Sequence, residues 1–335
     1  MRFFNRADDI AVKQPPLLFG ETQMQIKEII RQLDGDFLSY WGANNASIAG
    51  NDSIAIGEII NRAGVNSNKL YLFVKSSGGS GESSLRTINL LRSYYEQVVA
   101  LVPLSCASAA TMLALGADEI HMGALSYLTA VDTSIIHDLS PVDSNGDLVS
   151  VSQNELDRVI RLWNKEGRDN DANSYKSLYK YIHPLVFGAV DRASSLSIRL
   201  TSDILSFHMD DQEKIDRISH HLNAEYPSHE YPITSKEAKS IGLPVVDMDQ
   251  ELYSNLMQLN HLYSEMTQRC YTDYSEYKYH NNQIYTIIES LDYQIHYQTD
   301  KDFVWRKDDQ QWITTNDQST WKIIDRGTKR NFFIR

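Results

Sequence analysis

Between residues 36 and 122 the chain alternates short, almost uninterrupted apolar runs with stretches whose apolar residues recur every three or four positions. Residues 70–74 (LYLFV) and 98–102 (VVALV) are continuous apolar runs, the pattern of a strand buried on both faces of a parallel sheet. Residues 36–41 (DFLSYW) and 119–122 read as further strands. Between them, residues 53–62 follow a helical pattern. Residues 81–96 place Leu85, Ile88, Leu91 and Tyr95 on one side of a helix and Arg86, Asn89 and Ser93 on the other. Residues 108–115 form a small-residue helix able to pack closely. Repetition of strand, small-residue loop and helix predicts parallel βαβ crossovers.

Before this repeat, residues 1–20 read as an irregular arm. Residues 21–33 read as an amphipathic helix on Met24, Ile26, Ile29, Ile30 and Leu33, with Gly35 as its stop. After residue 152 the pattern is helical, with a polar break at 166–173 and a long apolar-periodic segment at 182–207. A short helix opens at Thr234, which stands at capping-box spacing from Glu237, and a last core helix covers 252–267. Past Cys270 the character changes: seven tyrosines fall between 271 and 297, and the runs 303–305 and 311–314 flank a polar turn at 307–310, as in a β-hairpin. The expected organisation is an arm and helix over 1–35, an α/β domain over 36–269, and a small Tyr/Trp-rich α+β lobe with a hairpin over 270–335.

Composition narrows the function classes. Across 335 residues, 44 acidic side chains outnumber 32 basic ones and the formal charge is −12. Such a surface repels a phosphate backbone and an anionic bilayer, so neither nucleic acid nor membrane is an expected partner. The two cysteines, Cys106 and Cys270, form no CxxC pair. Neither a disulfide framework nor a structural metal is expected, no cofactor is implied, and a reducing cytoplasm fits. The opening residues MRFFNRADDI lack the apolar core of a secretory signal.

Chemistry concentrates in two small-residue turns about thirty positions apart, Ser77-Gly78-Gly79 and Ser105-Cys106-Ala107-Ser108-Ala109-Ala110. Acyl-bond hydrolysis needs a nucleophile and donors for the oxyanion, and backbone N–H groups serve where the chain approaches closely. Gly78 and Gly79 can present amides just past a strand. Ser108 opens a helix, and the Ala109 N–H offers a further donor. The turns meet if their strands are neighbours in one parallel sheet. The plainer alternatives are a tight turn for the glycines and an N-cap for the serine. Cys106 reads as a small buried hydrophobe, and His220-His221 as adjacent helix residues pointing to different sides.

The segments LYLFVKSSGGSGESS, ALVPLSCASAATMLALGADEIHMG, LTAVDTSI and HEYPITSKEAKSIGLPVVD stand in the order and spacing of the ClpP/crotonase superfamily. Over residues 36–256 the chain most resembles its serine dehydrogenase proteinase group, related to signal peptide peptidase A. The resemblance implies a ClpP/crotonase-like core with helical elaboration. It matches Ser108 to the nucleophile, and Gly78, Gly79 and Ala109 to the oxyanion hole. Ala130-Val131-Asp132 matches the group's PVD turn. His229-Glu230-Tyr231-Pro232-Ile233 resembles its HDYPI, with Glu230 near the catalytic acid of Clp peptidases.

The chain departs from this pattern at the base. No histidine occupies 131–133, where the Clp histidine falls, and no lysine lies between Lys75 and Lys165, where a signal-peptide-peptidase lysine falls. His229 is the candidate base, oriented by Glu230 or another acid. His137 reads as a loop-surface histidine beside Asp138, and Lys165 or Lys176 remains as a source from the helical segment. The implied function is a serine peptidase or related acyl hydrolase on peptide or protein substrates. It would be assembled as a homo-oligomer, with room for a regulatory protein partner. The alternative is a catalytically inactive oligomeric scaffold or binding module; an acyl-CoA enzyme fits less well with a serine at the nucleophile position.

Overall fold

The computed structural model describes residues 10–165, 178–308 and 310–334; the expected polar break at 166–173 and Lys176 lie outside them. The repeat read from the sequence is a set of parallel strand–helix units. Strands β1 (Asp36–Gly42), β2 (Lys69–Lys75), β3 (Gln97–Val102), β5 (Glu119–Met122) and β9 (Val245–Asp247) lie side by side and parallel. Helices α2 (Gly50–Ala63), α3 (Gly81–Tyr94) and α4 (Ala109–Leu115) connect the first four. The two-residue strands β4 (Ser105–Cys106), β6 (Tyr127–Leu128), β7 (Ser134–Ile135) and β8 (Val151–Ser152) pair off outside this sheet, β4 with β6 and β7 with β8.

The continuous apolar runs are explained by burial on two faces. Leu70, Leu72 and Val74 of β2 pack with Ile56 and Ile59 of α2 and with Ile88 and Leu91 of α3. Tyr71 and Phe73 face the other way, toward Ile26 and Ile29 of α1 (Phe19–Ile30) and Leu256, Leu259 and Tyr263 of α9 (Gln250–Met266). Each such side chain contributes about 1.5–3 kcal/mol by leaving water, so a polar residue at any of these positions opposes the fold. Helix α6 (Pro184–Leu205) packs outside α3 and α4, and α7 (Gln212–Ala224) packs against α6. His183 caps α6 through Nδ1, with Pro184 in its first turn. The short helix α8 (Ser235–Ser240) follows Thr234, whose side chain makes no cap bond, so the capping-box spacing is not used.

The Tyr/Trp-rich segment is joined to the core more closely than its composition suggests. Its described residues are strands and turns. Two of the strands are β14 (Lys301–Arg306) and β15 (Gln311–Asp317), the expected hairpin. With β10 (Tyr271–Ser275) and β11 (Lys278–Asn281) they form a four-stranded sheet. The other strands, β12 (Ile284–Ser290), β13 (Tyr293–Gln298), β16 (Thr320–Asp325) and β17 (Thr328–Phe332), continue the central sheet. β12 pairs antiparallel with β1, placing Ser39 opposite Glu289 and Trp41 opposite Ile287, which makes nine strands in all. The physical reason is in the isoleucines: Ile288, Ile295 and Ile323 enter one apolar layer and Ile284 and Ile287 the other. An isolated aromatic lobe would leave the edge of β1 unpaired.

Candidate active site

Past their last paired residues, β2 and β3 extend into the two small-residue turns, and backbone hydrogen bonds tie these turns together. Ser76 N–H donates to the Ser105 carbonyl (3.2 Å), and Ala107 N–H donates to the Ser76 carbonyl (3.0 Å). The loop after β1 closes on the other side. Ile48 N–H donates to the Gly78 carbonyl (2.8 Å) and Ser80 N–H to the Ile48 carbonyl (2.9 Å), bracketing Gly79. The expected meeting of the turns is what the topology gives.

Both glycines are required by close approach. Gly78 (φ 109°) lies against Ser108, where an added Cβ would stand 2.7 Å from the Ser108 Cβ. Gly79 (φ 146°) runs so near the Ile48 backbone that a Cβ would come within 2.3 Å of its nitrogen. Gly78 N–H donates to Ser76 Oγ (3.1 Å). The Gly79 and Ala109 amides have no protein partner among the described residues.

Ser108 precedes α4 in a conformation L-residues rarely adopt, φ 54° and ψ −122°, and its hydroxyl caps nothing. Holding a non-glycine residue there costs about 1–3 kcal/mol. Thr129 supports it: this buried side chain accepts the Ser108 N–H at 2.8 Å and donates to the Ala130 carbonyl at 3.1 Å. Ser108, Gly79 and Ala109 share a cavity of about 140 Å³, walled by Met112, Leu196 and Leu200 and rimmed by Glu82 and Thr133. Larger hollows lie at the amino edge of β1 and behind residues 45–51, but neither contains Ser108 or the two turns. Cys106 is fully buried, its Sγ 3.0 Å from the Ala110 carbonyl, and burial pushes its thiol pKa far up. That suits the small-hydrophobe reading.

The structure does not bring His229 and Glu230 to this cavity. His229 Nδ1–H donates to Asp132 Oδ1 at 2.8 Å, and no hydrogen bond joins it to Ser108. Asp132 turns away from the cavity that its neighbours Val131 and Thr133 line. Its second oxygen accepts from Asn154 Nδ2 (3.1 Å) of α5 (Gln153–Lys165). The acid paired with His229 is therefore Asp132. Glu230 is exposed, acts only as a nearby charge, and uses its N–H on Ser228 Oγ (3.3 Å). The hydrogen bond to Asp132, reinforced by the charges of Asp132 and Glu230, holds the His229 pKa above the ordinary imidazole value. His137 Nδ1 accepts from Leu139 N–H (3.0 Å) in its own loop, and Lys165 is exposed at the end of α5. Among the described residues no cluster of ligating side chains could hold a metal.

In fold the chain is similar to a known protease and to ClpP1. A mutant of the membrane-bound stomatin-specific protease 1510-N is 13% identical with a TM-score of 0.40, over 68% of this chain and 86% of that one. A second mutant of it, in complex with a substrate peptide, is 14% identical with a TM-score of 0.37, over 68% and 80% of the two chains. A ClpP1 mutant from Listeria monocytogenes is 11% identical with a TM-score of 0.34, over 71% and 99%. No family model and no curated protein matches the sequence. At such identities the likeness assigns no residue a role. Among the described residues no helix is long and apolar enough to cross a membrane.

Sequence reasoning passed over three residues that shape the site. Thr129 holds the Ser108 backbone from 21 positions away, and Ile48 brackets Gly79 from 31 positions before it; neither carries a local signal. Asp132 carries a signal, its place in the Ala130-Val131-Asp132 turn, but its pairing with His229 is made only by the fold.

Proposed function

We propose that the protein is a serine acyl hydrolase acting on peptide or protein substrates, with Ser108 as nucleophile and the Gly79 and Ala109 amides as oxyanion donors. The observation that carries this reading is the conjunction at one cavity of a strained, uncapped serine and two unengaged backbone N–H groups. A hydroxyl that caps its own helix needs no such backbone; one turned toward a reacting carbonyl does. Attack by Oγ on the carbonyl carbon, with its proton passing to the general base, forms a tetrahedral oxyanion that the two amides would receive. The Gly78 amide, engaged by Ser76 Oγ, belongs to the scaffold of the turn. The general base is assigned to the His229–Asp132 pair, which requires the loop carrying His229 to move toward Ser108 when substrate binds or copies of the chain assemble. The pair has the order of a hydrolase dyad, an imidazole oriented through Nδ1 with Nε2 left for the substrate side.

A second reading, a non-catalytic oligomeric scaffold, is favoured by one observation: no histidine or lysine lines the Ser108 cavity among the described residues. Reaction with a fluorophosphonate separates the two. Stoichiometric labelling at Ser108 and at no other serine is the expected result; an intact, folded protein that stays unlabelled under these conditions supports the scaffold.

A further inference from the structure

We propose that Lys75 is a positioning residue for the oxyanion turn: its ammonium fixes the loop over residues 42–48, and that loop fixes the direction of the Gly79 amide. The inference rests on the reading of Ser108 and Gly79 given above and adds a residue from the opposite face of the sheet. Lys75 is the last residue of β2 and is only 7% exposed. Its Nζ donates to the Gly42 carbonyl (2.9 Å) and to Asn44 Oδ1 (3.0 Å), and lies 4.4 Å from the centre of the Trp41 ring. The Trp41 indole N–H is itself anchored on Asn260 Oδ1 of α9 at 2.9 Å. No carboxylate among the described residues pairs with Lys75.

An unpaired buried ammonium opposes folding, and a methionine would fill the space without that cost. What the ammonium supplies, and an apolar side chain cannot, is a tie between the end of β2 and the loop that follows β1. From Asn44 that loop continues to Ile48, with the Asn44 carbonyl accepting from Ser77 Oγ (3.3 Å). Ile48 then grips the Gly78 carbonyl and the Ser80 amide. Lys75 and Ile48 thus hold one loop at its two ends, and the Gly79 amide sits at the far one. With the loop released, Gly79, which has no side chain to lock it, loses the neighbours that set its φ of 146°. Burial alone holds the Lys75 pKa down to about 8, with no charged neighbour contributing. The ammonium therefore gives up its proton as pH rises through about 8.

The test compares wild type, Lys75→Met and Lys75→Arg by two readouts: the rate of fluorophosphonate labelling at Ser108, and hydrogen exchange in peptides covering 43–49 and 76–81. For Lys75→Met the expected result is exchange at least about tenfold faster in both peptides with the body of α3 unchanged, and labelling slowed at least about tenfold. Relative to Lys75→Met at each pH, wild-type labelling should lose its advantage as pH rises through about 8; a merely space-filling lysine would not produce that limb. Lys75→Arg, which keeps the charge, should retain part of the rate. Unchanged exchange overturns the proposal, as does faster exchange with unchanged labelling. Should Lys75→Met fail to fold, Asn44→Ala removes one of the two acceptors on an exposed residue and should shift both readouts in the same direction. A wild-type protein that is never labelled refutes the hydrolase reading instead, and the exchange data then decide alone whether Lys75 holds the Gly79 turn.

Discussion

Ser108 and Gly79 are held by backbone hydrogen bonds between the extensions of neighbouring strands, whereas His229 is held by one side-chain pair on a surface loop. The first arrangement has little freedom. Ser76, Ile48 and Thr129 each fix a backbone group within 3.2 Å, and the glycines fit so closely that one added carbon would collide. The second has one ion pair, His229 to Asp132, with the imidazole side chain 45% exposed. The difference teaches where precision resides in this molecule. Under the proposed function, the donors that would await a developing charge are built into the sheet edge, while the group that would carry a proton sits on an exposed loop.

The sharpest way to break this comparison is Ser108→Ala. It should abolish fluorophosphonate labelling and any hydrolytic turnover while changing unfolding free energy by no more than about 1 kcal/mol, because the hydroxyl caps no amide. Retained turnover in a validated assay would remove Ser108 from the chemistry. Next is Gly79→Ala. The new Cβ must displace the Ile48 backbone, so labelling should slow by about 10²–10³, the usual loss when an oxyanion donor is misplaced. An undiminished rate would show that this edge is not the rigid part.

A buried proton site extends the contrast. Glu289 of β12 is sealed against α1, accepts from Thr22 Oγ1 (2.6 Å), Gln23 Nε2 (2.8 Å) and Gln294 Nε2 (2.7 Å), and burial lifts its carboxyl to about 7. A raised pKa means that the folded state keeps a proton the unfolded chain has lost. The contribution is therefore whole below about pH 4.5 and is lost as pH rises through 7, by up to about 3 kcal/mol for a shift of this size. Urea unfolding between pH 4.5 and 8 should show the fall, and Glu289→Gln should flatten it. The smallest effects belong to the loop. Asp132→Asn should bring the His229 pKa down, read by imidazole NMR, because the carboxylate stabilises the charged ring. Glu230→Gln should move it less in the same direction, since Glu230 acts only through space. Equal shifts from the two substitutions would contradict the pairing with Asp132.

The centre of the parallel core was legible because β2 and β3 are buried on both faces, and a continuous apolar run satisfies that. LYLFV and VVALV announce their strands, and the intervening 3.6-residue periods announce helices that lie within a few residues of expectation. The two turns were legible because positive φ and close approach leave glycine as the residue that fits at 78 and 79. The C-terminal segment reads differently in sequence and in space. Its tyrosines and polar turns suggest a separate lobe, yet sheet membership depends on which edge a strand finds, and the edge of β1 finds a partner far along the chain, Ser39 lying opposite Glu289.

Residue type and spacing by themselves determined the fold class and the two small-residue turns, because steric demands on the backbone act locally and leave local traces. Tertiary structure alone decided that Asp132 rather than Glu230 meets His229, that Thr129 and Ile48 hold the backbone at Ser108 and around Gly79, and that, among the described residues, the lysine at the end of β2 stands without a carboxylate. These are facts of distance between chain segments 21 to 97 positions apart, and nothing in a side chain's identity records which distant group will face it once the layers have packed.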